Sequence, residues 1–197
     1  MKKEQLLQKL SNECFDQRIV KAFKEVERED FIPGGFKKHA YEDVALTIGY
    51  GQTISQPFTI AFMLTLLEIK NEQRILEVGS GSGYVLALLN ELSKNSKIFG
   101  VERIEKLVES SKRILHDGKN IKIFQAGEKL GLSEQGPFDR ILVSASAQSL
   151  PSELLDQLTD EGILVCPVQN HIIKIKKERE KIVNESFYGF TFVPLVK

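Results

Sequence analysis

The residues whose types and spacing could do chemistry are Glu77-Val78-Gly79-Ser80-Gly81-Ser82-Gly83-Tyr84 and, further along, Glu102. Three glycines alternating with small hydroxyls make a turn that accepts positive φ and lets a ligand come close to the backbone without a Cβ in the way. The helix that follows would start with amides free to face that ligand. Glu102 ends the apolar run Ile98-Phe99-Gly100-Val101, roughly twenty residues after the glycine loop, the separation expected in a nucleotide-binding βαβ unit. A carboxylate there can accept hydrogen bonds from both hydroxyls of a ribose. The chemistry implied is the binding of a nucleoside-containing ligand. The dinucleotide fingerprint Gly-x-Gly-x-x-Gly is not met, because Gly79, Gly81 and Gly83 fall at every second position.

These residues need elements to hold them. Ile75, Leu76 and Val78 read as a strand into the turn, and the apolar helical pattern resumes at Val85. Ahead of this, apolar residues at helical intervals between residues 3 and 28 predict two short amphipathic helices, closed by Pro33-Gly34-Gly35. Leu46 to Pro57 is glycine-punctuated and uncharged, neither helical nor clearly stranded, and Pro57 opens a helix over Phe58–Leu67. Beyond Glu102 the pattern predicts a helix over Glu105–Leu115 and a strand over Ile121–Phe124 that ends at Gly127-Glu128. A strand follows over Phe138–Val143, then a helix over Pro151–Leu158 and a strand over Gly162–Val168. Ser144-Ala145-Ser146-Ala147, small and hydroxylated, suits a pocket floor at the carboxyl edge of a parallel sheet. Ile172–Ile175 and Phe187–Val193 read as an antiparallel hairpin around a charged, solvated turn, Lys176–Lys181. The alternation predicts an α/β fold. It is a doubly wound, Rossmann-like, mostly parallel sheet in a three-layer α/β/α arrangement with an antiparallel C-terminal hairpin. One domain over 1–197 is expected, with a helical and loop segment at 1–70.

Composition narrows the classes. Twenty-seven basic residues balance twenty-seven acidic ones, so a phosphate backbone has no net charge to bind and nucleic acid is a disfavoured partner. Cys14 and Cys166 lie far apart, which predicts two reduced thiols rather than a metal or redox pair. His39, His116 and His171 sit in no triad or metal spacing and read as surface or packing residues, so no metal is expected. No apolar run is long enough for a signal peptide or a bilayer crossing. A soluble, cytoplasmic monomer is the expectation.

The pattern Glu-x-Gly-x-Gly-x-Gly resembles the first motif of the class I S-adenosylmethionine (SAM) methyltransferases. A more specific resemblance runs over almost the whole chain. Ala40-Tyr41-Glu42-Asp43, Ile48-Gly49-Tyr50-Gly51-Gln52-Thr53-Ile54-Ser55, the glycine turn, Val101-Glu102-Arg103 and the ending Phe192-Val193-Pro194-Leu195 together look like the protein-L-isoaspartate O-methyltransferase family. The resemblance implies SAM as cofactor, with Glu77, Gly79, Ser80, Gly81, Ser82, Gly83 and Tyr84 on its methionine side. Glu102, followed by Arg103, would face the ribose and Gly127-Glu128 the adenine, while the backbone of Thr53 and Ile54 closes over the sulfonium. It further implies that the loop carrying Gln52, Ser55, Pro57 and Phe58 forms part of the substrate cleft. The acceptor would be the free α-carboxyl of an L-isoaspartyl residue in a damaged protein or peptide.

That chemistry asks little of acid–base groups. The sulfonium is already an excellent leaving group, and a carboxyl of ordinary pKa, about 4, is ionised at neutral pH. Alignment and exclusion of water remain, and Ser55 is the candidate for holding one carboxylate oxygen in line. The chain departs from the family in places. Ser55-Gln56-Pro57-Phe58 stands where Ser-Ala-Pro-His is usual, Ile60 where a second His often lies, and Glu128 where Asp is usual. Loss of two imidazoles leaves room for a different peptide or small-molecule acceptor, and the altered adenine side leaves room for a non-catalytic SAM-binding relative.

Overall fold

The structure, a computed structural model, describes residues 1–13, 15–116, 120–179 and 181–196. Cys14, and Glu180 of the charged run, lie outside the described residues. The chain runs through α1 (Lys3–Asn12), α2 (Gln17–Glu25), β1 (Leu46–Gly49), β2 (Gln52–Ile54), α3 (Pro57–Leu67), β3 (Arg74–Val78) and α4 (Tyr84–Leu92). It continues through β4 (Lys97–Glu102), α5 (Glu105–Ile114), β5 (Ile121–Gln125), β6 (Phe138–Val143), α6 (Ser152–Leu155), β7 (Leu158–Val168), β8 (His171–Glu178) and β9 (Lys181–Tyr188).

Seven strands form one sheet in the order β5-β4-β3-β6-β7-β8-β9. β3 pairs in parallel with both β4 and β6, β4 with β5, and β6 with β7, whereas β8 runs antiparallel to β7 and β9 to β8. The central strand reads as a continuous apolar run because both of its faces are covered. Ile75 belongs with Ile98, Leu142 and Val165 to a core shared with α2, α3 and α4. Its neighbour Leu76 faces the other way, into a core with Phe99, Ile141, Leu164, Leu130 and Leu154. α3 is apolar nearly all round, as a helix sunk in the core must be, with Pro57 at its first position and Glu68 closing it in a left-handed conformation. This is the doubly wound, mostly parallel sheet that the sequence predicts.

Three local expectations are corrected. Residues 46–54 are a two-stranded antiparallel hairpin, held by a two-residue loop in which Tyr50 and Gly51 both have positive φ, the geometry that matches strand twist. Its glycines and threonines hide the alternation that would have marked it as stranded. The helix expected over Pro151–Leu158 is a single turn, and Leu158 already pairs with Phe138 in the sheet. Gln157 stops it: its Nε2 donates to Leu130 O and Glu153 O, and its Oε1 accepts from Leu132 N. The C-terminal hairpin is longer and displaced, so that Lys176, Lys177 and Glu178 lie within β8 and Glu178 pairs with Lys181. Lys176 Nζ bridges Glu178 and Glu161, and Lys177 Nζ donates to Leu158 O, so strand geometry satisfies the charges. The tail after β9 leaves the sheet edge at Gly189 and returns over Ser146, which pairs with Pro194.

Candidate active site

The glycine loop leaves β3 at the carboxyl edge of the sheet. Gly79 N and Ser80 N both donate to Val101 O of β4, and Gly83 N donates to Ser80 O, which coils the loop into α4. Gly83 needs to be glycine: its φ is +87°, and a Cβ there would lie 2.8 Å from Leu115 Cδ1. Gly81, at φ +52°, would put a Cβ 3.2 Å from Ile48 Cδ1 of the β1–β2 hairpin. The hairpin therefore lies over the loop as a lid.

Glu102 is buried at the end of β4, with Oε2 accepting from Gly81 N at 3.0 Å and Oε1 from Ile104 N at 2.8 Å. These two amides fix the carboxylate, and each oxygen keeps a second lone pair for a ligand hydroxyl. Glu77 is 1% exposed. Its Oε1 accepts from the Ser144 hydroxyl at 2.7 Å, while Oε2 has no partner among the described residues. Burial pushes this carboxyl up to about 8, against the pull of the Ser144 hydrogen bond, with Glu102 adding repulsion. The Ser80 hydroxyl is likewise buried without a partner. Orphaned buried polar atoms are costly unless a ligand completes them. A nucleoside bearing an amino-acid end, with an ammonium for Glu77 and ribose hydroxyls for Glu102, fits what the loop leaves open.

Three hollows surround this loop. The first, about 730 Å³, runs from Val78 and Gly79 past Glu102 to Gly127 and Leu130, roofed by Ile48 and Thr53. A second, about 480 Å³, lies between Glu77, Ser80, Ser82 and Ser55. The third opens to solvent between the start of α3 and the tail at Phe190–Val193. Thr53 and Ser144 line all three, and Ser55 lines the second and third.

Of the residues singled out from sequence, Thr53, Gly79, Gly81, Glu102, Arg103, Gly127 and Glu128 line the first hollow, the last at its exposed rim. Ile54, Ser55, Glu77, Ser80, Ser82 and Tyr84 line the second. Tyr84 is committed largely to packing, its ring edge-on to Phe23 and Phe31 with the Arg28 guanidinium 5.3 Å above it. Ser55 and Phe58 meet on the third hollow. Gln52, expected beside the substrate, falls instead on the first hollow, its Nε2 donating to Tyr50 O. Pro57 lines none of the three and is buried as the first residue of α3. Gly83 acts as the hinge into α4 rather than as a wall. Sequence reasoning named Asp43 only within the family motif, with no role of its own, and set residues 190–193 in the last hairpin, whereas β9 ends at Tyr188 and these residues line the third hollow. Asp43 accepts from Phe58 N, Gln56 Nε2 and Lys9 Nζ, at 2.8, 3.2 and 2.7 Å. The acidic pair Glu42-Asp43 before an uncharged loop is the signal that pointed there.

Among the described residues no cluster of three or more His, Cys, Asp or Glu could hold a metal ion, and no helix is long and apolar enough to cross a membrane. His39 Nδ1 lies 2.7 Å from Glu42, and the ring of His171 lies against Tyr188.

Strand order, a glycine loop after the central strand and an acid at the end of its neighbour define the class I methyltransferase fold. The family model described as protein-L-isoaspartate(D-aspartate) O-methyltransferase matches residues 1–197, and the chain belongs to that family. A protein-L-isoaspartate O-methyltransferase of Fervidobacterium nodosum is 41% identical over 186 residues, 91% of this chain and 94% of that one. One from Methanothrix thermoacetophila is 39% identical over 202 residues, 100% and 95% of the two chains. A Plasmodium falciparum structure carrying the family's name, solved with S-adenosyl-L-homocysteine bound, superposes with a TM-score of 0.83 at 28% identity, over 98% of this chain and 97% of that one. A solved protein-L-isoaspartate O-methyltransferase shares the fold at a TM-score of 0.90 and 24% identity, and this chain spans 66% of its length.

Proposed function

We propose that the protein binds SAM across the first and second hollows and methylates the free α-carboxyl of L-isoaspartyl residues in damaged proteins or peptides. The observation that carries this reading is the convergence of the three hollows at Thr53 and Ser144, with Ser55 on the wall between donor side and acceptor side. In this reading Glu102 takes the ribose, Glu77 the ammonium and Gly127-Glu128 the adenine edge. The cofactor supplies the activated methyl group. The chain's own work is positioning: the hairpin excludes water over Gly81, and the Ser55 hydroxyl donates to one oxygen of the acceptor carboxylate so that the other points at the methyl carbon. No proton has to move, which agrees with a site whose only strongly shifted carboxyl, Glu77, lies on the donor side. The product is a labile methyl ester that closes to a succinimide and returns in part to normal aspartate, which amounts to repair.

We place this activity in the cytoplasm, where the buried Cys166, whose thiol burial pushes up to about 12, stays reduced and inert. The protein acts as a monomer, without nucleic acid, which its balanced charge does not attract. The test is incubation with methyl-labelled SAM and a matched pair of isoaspartyl and aspartyl peptides. Base-labile label is expected in the isoaspartyl peptide alone; equal labelling of both would move the acceptor elsewhere, and binding of the cofactor without transfer would make the protein a sensor.

A further inference from the structure

The third hollow differs from the first in its electrostatics. The first is lined by Glu102, Arg103, Glu128 and Lys129, whereas among the described residues no ionisable side chain lines the third. One of its walls is aromatic and fixed. Phe62 stacks on Phe58 with ring centroids 6.4 Å apart and planes 5° apart, and on Phe190 at 5.2 Å and 17°, so three nearly parallel rings join α3 to the tail. Phe15 closes the far side of Phe58, edge-on at 5.4 Å. The tail that carries Phe190 is itself fixed, tied at one end by Gly189 N and Phe190 N to Asn170 O and at the other by Ser146 N to Val193 O. Asp43, the carboxylate bonded to the start of α3, spends its charge on Lys9 Nζ and Phe58 N.

A peptide lying in this cleft to present a carboxylate to Ser55 must place the side chains next to that carboxylate against the rings. An ionised side chain there loses hydration and meets no counter-charge. An aromatic or bulky aliphatic one buries area against a preformed wall and stacks on it. We propose that this cleft selects uncharged, preferably aromatic, residues flanking the acceptor, with Phe58 and Phe190 as the specificity-determining side chains. The inference rests on the proposed isoaspartyl carboxyl methyltransferase reading.

The experiment uses isoaspartyl peptides identical except for the flanking residue, which is Phe, Ala, Lys or Glu, with transfer from SAM measured as kcat/KM. The Phe peptide is expected to exceed both charged peptides by about tenfold, and its KM to change less than about twofold between low and high salt. Thr191→Lys, an exposed change in the tail, should turn the order towards the Glu peptide and make its KM rise with salt. Phe190→Ala should bring the Phe and Ala peptides together. If that variant fails to fold by circular dichroism, Thr191→Lys carries the test. Charged peptides used as well as the Phe peptide by the wild type, or an order unmoved in Thr191→Lys, overturn the inference and leave the functional reading standing. No transfer to any member, with S-adenosyl-L-homocysteine still bound, overturns the functional reading and this inference with it.

Discussion

Glu77 shows what a buried carboxyl does when one of its oxygens is left without a partner. Its folded-state pKa, about 8, lies above the ordinary 4.5, so the folded protein holds a proton that the unfolded chain releases between those values. Stability of the ligand-free protein should therefore fall as pH rises through that window, by at most about 1.4 kcal/mol per pH unit from this group. Glu77→Gln should flatten the dependence, measured as urea midpoints across the window. The same proton reports the ligand. If the ammonium of S-adenosyl-L-homocysteine meets Oε2, the carboxyl ionises on binding and close to one proton is released near pH 7. Titration calorimetry in two buffers of different ionisation enthalpy should give different heats for the wild type and equal heats for Glu77→Gln; equal heats for both would remove Glu77 from the cofactor site. In the proposed reading Ser55 serves the other substrate. Ser55→Ala should lower kcat by about ten- to a hundredfold, in line with losing one positioning hydrogen bond, while S-adenosyl-L-homocysteine affinity stays within about twofold. Unchanged turnover would exclude the role.

At the scale of elements, the decisive object is the joint between the hairpin and α3. Ser55 sits in the two-residue link between β2 and Pro57, and that link is held from one side by Asp43. Burial would raise the Asp43 pKa, but its bonds with Lys9, Phe58 N and Gln56 hold it below the usual carboxylate range. Asp43 is thus a positioning residue, capping α3 and joining it to α1. Asp43→Ala should destabilise the fold by about 2 kcal/mol, the cost of losing charge-assisted hydrogen bonds in a half-buried site. It should also lower kcat while leaving S-adenosyl-L-homocysteine affinity largely intact, because Asp43 lines neither donor-side hollow. Asp43→Asn, which keeps an acceptor for Phe58 N, should recover part of the kcat. A variant that loses stability with kcat untouched would make Asp43 a cap and nothing more.

For the whole molecule, the proposed reading makes the cofactor a clamp between the sheet edge and the β1–β2 hairpin. Binding to the folded state alone should stabilise it by about 2.7 kcal/mol at a hundredfold excess over Kd, raising Tm by roughly 5–10 °C for a chain of this size. Hydrogen exchange should show protection in β1, β2 and the glycine loop together. Protection confined to the loop would mean that the hairpin does not close on the ligand.

How much of this was legible depended on how local each feature is. Strands β3 to β7 and helices α3 to α5 could be read because a parallel sheet covered on both faces writes continuous apolar runs into its strands and helical spacing into its crossovers. The glycine loop and Glu102 could be read for the same reason, since a turn with positive φ and an acid one strand away are set by neighbours in the chain. The hairpin over residues 46–54 could not, because its strands are short and its pairing rests on a turn geometry that glycine permits but does not announce. β9 was misplaced because its exposed side chains carry no burial pattern. Contacts between residues distant in sequence lay beyond reach altogether. The amino-acid sequence alone determined the fold class, the family and the placing of the glycine loop and Glu102 at the sheet edge, through local patterns repeated along the chain. Only tertiary structure decided that Asp43 holds the link after β2 through Gln56 and Phe58 N, that Gln52 lines the first hollow, and that the tail returns across the sheet edge to wall the third. Each of those is a meeting of segments whose free energy comes from packing and hydrogen bonds formed after the chain has closed on itself.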